Sequence, residues 1–232
     1  MCFSAEMDLA AGAVIAVVGV DTLRHAHRAR DVPLASLPLA FGAHQLSEAF
    51  VWWGVQGDVA ASTGRAALWV YLLFAFVVLP VVVPLAVLLV EPDGGRRRLM
   101  GRFAALGALV SVLYGASMLS GPVSAAVHGR ALSYRTGVPY GGTVAALYMV
   151  ATVGALLASS HRRIAVFGLA NLVAVPVLVF AATHALTSLW CFWAAVASVV
   201  IAAHQRAPLD PGPSRPRRHG WVGGFAASHL RP

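Results

Sequence analysis

Seven apolar stretches recur along the 232-residue chain, each close to the roughly 20 residues that cross about 30 Å of hydrocarbon. No other feature narrows the choice of fold as much. The stretches lie near 9–23, 34–54, 67–90, 103–120, 142–159, 164–183 and 185–204. They predict an all-α fold: an integral membrane bundle of seven transmembrane helices over 1–206, followed by a basic cytoplasmic tail over 207–232. The tail mixes Pro, Gly, Ser and Arg without an apolar period, the composition of a disordered segment. Only 11% of the chain is charged and its mean hydropathy is +0.75, whereas soluble domains carry about a quarter charged residues.

All 17 basic residues are arginine. A chain without lysine can form no retinal Schiff base, no PLP aldimine and no phosphate-loop lysine contact. The arginines also set an orientation, because short arginine-rich loops stay in the cytoplasm. Arg24, Arg28 and Arg30 follow the first stretch, Arg96, Arg97, Arg98 and Arg102 the third, and Arg162 and Arg163 the fifth. Arg206, Arg215, Arg217, Arg218 and Arg231 belong to the tail, while Arg65, Arg130 and Arg135 fall on the other side. The N-terminus is therefore expected outside and the C-terminus inside, in the cytoplasmic membrane of a bacterium. The net charge of +8 describes a cytoplasmic rim; no motif of a nucleic-acid module accompanies it, so the lipid bilayer is the expected partner. The opening MCFSAEMDLAAG has neither a basic leader nor a small-residue cleavage site and does not read as a signal peptide.

Within the stretches, Gly107, Ser111 and Gly115 fall at intervals of four, a stripe of small residues that permits close helix approach. Pro80, Pro84 and Pro176 remove backbone donors and are expected to kink their helices. No pair of similar halves is visible.

An ionisable residue inside an apolar span is a functional candidate, and Glu48 in LAFGAHQLSEAFVWWG is the clearest one. His44 lies one turn earlier, and Gln45, Glu48 and Trp52 share a face. In the last stretch His184, Ser188 and Cys191 share another. At 1.5 Å per residue, Glu48 and Cys191 both sit roughly 9 Å below the outer end of their spans. Cys2 and Glu6 on the outer N-terminal segment, and His128, Tyr134 and Arg135 on the longest outer loop, belong to the same half. Cys2, Glu48, His128 and Cys191 make a ligand set suited to zinc, copper or iron, with His44, Gln45, Tyr134 and His184 lining an outward-facing polar pocket. The same residues admit plainer readings: His44 and Glu48 bonded to each other, Cys2 and Cys191 joined in a disulfide, Cys191 as a small buried hydrophobe.

The segments MCFSAEMDLAAGAVIAVVGVDTL, HQLSEAFVWWG and TSLWCFWAAVAS resemble an uncharacterised family of bacterial multipass membrane proteins whose members begin Met-Cys-Phe-Ser-Ala. The resemblance implies an outer-loop His and Tyr, matched by His128 and Tyr134. It implies Gln where this chain has His44, which favours Gln45, Glu48, Cys2, His128 and Cys191 as site residues. Three functions follow as expectations. One is a membrane-embedded, metal-dependent hydrolase with Glu48 as ligand or general base, a layout that looks like that of intramembrane hydrolases related to alkaline ceramidases. The others are a small-solute or proton-coupled carrier or channel working through Glu48, and a non-enzymatic membrane sensor.

Overall fold

The computed structural model of the protein describes residues 4–92, 94–128, 131–181, 195–203 and 206. Its elements are α1 (Ala5–Arg24), α2 (Val32–Gln56), α3 (Ala61–Leu73), α4 (Leu79–Val90), α5 (Gly95–Ser120), the strands β1 (Ser124–His128) and β2 (Ala131–Arg135), α6 (Gly141–Leu157) and α7 (Arg162–Ala181). A further helical segment covers 195–203.

α1 begins where the Ser4 hydroxyl accepts a bond from the Met7 amide at 3.4 Å, the usual helix-start device. Its buried residues are Ala5, Asp8, Gly12, Ile15, Gly19 and Thr22. That spacing of three and four is one helical stripe, and most of its members are small. α2 runs antiparallel to it at very close range: a β-carbon on Gly19 would run into the Leu39 backbone, and one on Gly42 would sit 2.6 Å from the Ala16 nitrogen. The pairing depends on the missing side chains. It also brings Asp8 level with Gln45 and Glu48.

α3 and α4 form one continuous helix over Ala61–Val90, interrupted by a π-turn at Phe74–Val78 just ahead of Pro80. Pro80 and Pro84 each withdraw an amide donor. In the π-turn the Leu79 amide bonds to the Phe74 carbonyl, and Pro80 has no hydrogen to give, so the Ala75 carbonyl loses its helical partners. The Tyr148 hydroxyl of α6 donates to it at 3.2 Å. Pro84 likewise frees the Pro80 carbonyl, against which Gly107 of α5 packs so closely that a β-carbon would overlap the oxygen. Ser111, one turn on, donates to the Val77 carbonyl at 2.6 Å. The stripe of Gly107 and Ser111 is thus a helix contact, with Gly107 fitted to a carbonyl that proline has exposed.

The chain between α5 and α6, read from the sequence as a loop, forms a two-stranded antiparallel hairpin with Ala125 opposite Tyr134 and Val127 opposite Leu132. The fold is helical, as expected, and carries one small two-stranded sheet in addition. Isolated hairpins are marginal in water. This one is held by its inner face, where Leu132 and Tyr134 join a core with Ala49, Trp52, Leu68, Tyr71 and Met118. A second core, built on Ile15, Leu37, Phe41, Leu79, Met100 and Leu156, lies toward the opposite end.

At that opposite end the arginines gather. Glu91 is buried between two turns and accepts bonds from the Ser159 hydroxyl at 3.1 Å and the Ser160 amide at 3.0 Å. A carboxylate at the first turn of α7 complements the helix dipole. Arg97 closes the other side, donating to the carbonyls of Leu88 and Glu91 at 3.3 and 3.1 Å. Asp21 at the end of α1 pairs with Arg206.

Among the described residues two helices are long and apolar enough to cross a membrane, Ala61–Val90 and Gly95–Ser120, which overturns the seven-span bundle. α1 carries Glu6, Asp8, Asp21 and Arg24, α2 has His44, Gln45 and Glu48 in its middle, and α6 has only 17 residues. The sixth expected span forms α7, of 20 residues, and the seventh falls largely outside the described residues. Large apolar side chains are nonetheless exposed on several helices, among them Val17 (70%), Val112 (66%) and Leu119 (83%). Exposed apolar surface of this extent is typical of a membrane-facing protein.

The glycine contacts can be tested directly. Gly107→Ala is expected to lower stability by about 1–3 kcal/mol, as overpacking does. Gly101→Ala, where a β-carbon meets open space, is expected to raise it by roughly 0.5–1 kcal/mol. Thermal unfolding of both variants in detergent measures the contrast.

Candidate functional site

The close α1–α2 pairing creates a buried polar cluster beneath the hairpin. Gln45 is 1% exposed, and its side-chain amide donates to Asp8 Oδ1 at 2.7 Å and to Glu48 Oε2 at 2.9 Å. One amide group therefore bridges two carboxyl groups, themselves 0% and 1% exposed. The Tyr134 hydroxyl reaches down from β2 and donates to Glu48 Oε1 at 3.0 Å. Burial pushes the Tyr134 phenol well above its ordinary range, so the hydroxyl keeps its proton and remains a donor.

Four aromatic rings wall the cluster. His44 stacks on Tyr71 with centroids 4.1 Å apart, and Tyr71 stacks on Tyr134 at 4.7 Å. Phe74 lies against the other edge of His44 at 4.8 Å. Such stacks add stabilisation beyond the area they bury, and here they carry the hairpin strand onto α3. Not every polar atom in the cluster is satisfied. Among the described residues, Asp8 Oδ2, both ring nitrogens of His44 and the Trp52 indole nitrogen are buried without a hydrogen bond of ordinary geometry, although the Trp52 indole lies near the Asp8 carboxyl.

The sequence candidates divide. Gln45, Glu48 and Tyr134 come together as one network, and His44 joins through its ring face. His128 does not: it lies opposite Ala131, so alternation turns it to the face of the hairpin away from Tyr134, where it bonds to Ser133 at 3.1 Å. Glu6 is exposed on the first turn of α1. Cys2, His184 and Cys191 lie outside the described residues. Among the described residues no group of three or more His, Cys, Asp and Glu side chains could hold a metal ion. The metal-binding expectation is corrected for the described residues: hairpin register turns His128 to the face away from Tyr134 and Glu48.

Two residues of the site were not singled out from the sequence. Asp8 stands just ahead of the first apolar stretch and reads as its solvated edge; the stripe of small residues to which it belongs is the signal that it faces inward. Tyr71 has no such signal, because its partner is a strand 63 positions later. Glu91, buried at the far end, was likewise unremarked.

Substitutions at two positions should move stability in opposite directions. Tyr134→Phe keeps the ring stack and removes the bond to Glu48, and is expected to cost about 1–3 kcal/mol. His44→Phe keeps the stack and removes two unpartnered buried nitrogens, and is expected to be neutral or stabilising. Thermal unfolding of each variant reads the sign.

No curated protein and no solved structure matches the chain. One family model does, over residues 1–215, and it is described as a family of unknown function, DUF6629. Because that match spans both strands of the hairpin and every described helix, the chain belongs to the DUF6629 family of unknown function.

Proposed function

We propose that this is a proton-linked membrane protein of the bacterial cytoplasmic membrane, a small-solute carrier or gate whose working group is the Asp8–Gln45–Glu48 cluster. The supporting observation is the bridge itself: two carboxyl groups on one amide, both buried. Two carboxylates so close in a low-dielectric interior repel each other and lose their hydration, and the arrangement is far less costly with one proton on the pair. The unpartnered Asp8 Oδ2 offers a place for that proton. Taking up a proton there makes the pair a single negative charge; releasing it makes two.

The hairpin gives the cluster a cover. Tyr134 is the one hairpin side chain bonded to the carboxyl pair among the described residues, and as a neutral donor it bonds an ionised Glu48 more strongly than a protonated one. Charge on the pair and the seating of the hairpin are coupled in this way. The apolar outer surface supports a location in the bilayer.

In vesicles loaded with a pH-sensitive dye, the wild-type protein is expected to dissipate an imposed pH gradient faster than protein-free vesicles. The Asp8→Asn/Glu48→Gln double variant, checked for folding by circular dichroism, is expected to match the protein-free rate. Equal rates for wild type and double variant would overturn the proposal.

A further inference from the structure

A cavity of about 470 Å³ opens beside the hairpin, between the C-terminal end of α2, the first turns of α3 and strand β1. It is distinct from the carboxyl cluster, though Ala125 on its wall is the cross-strand neighbour of Tyr134. Its volume falls in the range of small-molecule sites, about 300–1,000 Å³. α2 and α3 touch at its floor through Gly54 and Gly64, where a β-carbon on Gly54 would sit 2.5 Å from the Gly64 α-carbon. The absence of side chains there lets the two helices touch.

The walls are chemically lopsided. Val51, Val55, Leu68, Trp69 and Val123 supply apolar surface, and Arg65 is the only charged residue among the lining residues. Arg65 is exposed, and no carboxylate forms an ion pair with it among the described residues. Its position is also unusual, since among the described residues only it and Arg135 are arginines at the hairpin end. A lone guanidinium beside a wall of apolar side chains suits an anionic head joined to a hydrocarbon body.

We infer that this cavity binds a single-chain anionic amphiphile of the fatty-acid class, its head on Arg65 and its chain along Trp69, Leu68 and Val55. The inference does not rest on the proton site: a protein that binds the amphiphile and moves no protons would keep this assignment and lose the other.

The test uses a fatty acid brominated along its chain, titrated into the full-length protein in detergent, with tryptophan fluorescence as the readout. Saturable quenching is expected, with the saturable part removed in Trp69→Phe. Arg65→Gln, a change at an exposed position, is expected to raise the half-saturating concentration about tenfold, the loss of one charge-assisted contact. Quenching that rises linearly without saturation would overturn the site. Equal binding of the brominated methyl ester would overturn the role of Arg65. Displacement by acetate or inorganic phosphate at the same concentrations as by the fatty acid would overturn the amphiphile and leave a site for a free anion.

Discussion

One side-chain amide holds the hairpin end of this protein together. Gln45 donates to Asp8 across the α1–α2 contact and to Glu48 within its own helix, and the remaining features of the site are arranged around those two bonds. The glycines that let α1 and α2 touch are what bring Asp8 within reach. Glu48, oriented by Gln45, presents its other oxygen to Tyr134, which seats the hairpin. Removing the amide would leave two carboxyl groups facing each other with no donor between them, a costly arrangement in a buried site.

The opposite end uses a different logic. There the carboxylate is Glu91, and its partners are a serine hydroxyl and a backbone amide at the start of α7, so its contribution is to join two turns. Between the two ends, prolines in the helix over Ala61–Val90 free the carbonyls of Ala75 and Pro80, and neighbouring helices answer with the Tyr148 hydroxyl and the bare α-carbon of Gly107. The hydroxyl replaces a lost backbone bond, as buried polar groups require, and the glycine lets α5 close onto the freed carbonyl. An apolar cavity of about 80 Å³ beside this seam, lined by residues such as Phe41, Val83 and Leu156, has no cluster of ionisable groups.

Much of the site was legible because polar residues inside an apolar stretch stand out. Glu48, Gln45 and His44 stand out that way, and Tyr134 as a polar residue of the longest outer loop, matched also by the family resemblance. Asp8 and Tyr71 escaped because what makes them part of the site is a neighbour 37 positions away in one case and 63 in the other, a distance over which local pattern carries no information. His128 was placed wrongly for a similar reason. Strand register, which decides the face a residue occupies, depends on how two five-residue strands pair. The helical architecture was readable from periodicity; the number of membrane-crossing helices was not, because apolar length alone does not weigh the acidic residues of α1 or the polar middle of α2.

Asp8, Gln45, Glu48 and Tyr134 act as one network, so the decisive measurement is a double-mutant cycle between Gln45→Leu and Tyr134→Phe, two residues that meet only through Glu48 among the bonds described. Stability of the two single variants and the double variant, measured by denaturation in detergent, is expected to show a coupling of about 0.5–3 kcal/mol. Strict additivity, with no coupling beyond the error of about 0.3–0.5 kcal/mol typical of independent sites, would show that the hairpin and the carboxyl pair are separate structures and would contradict the account.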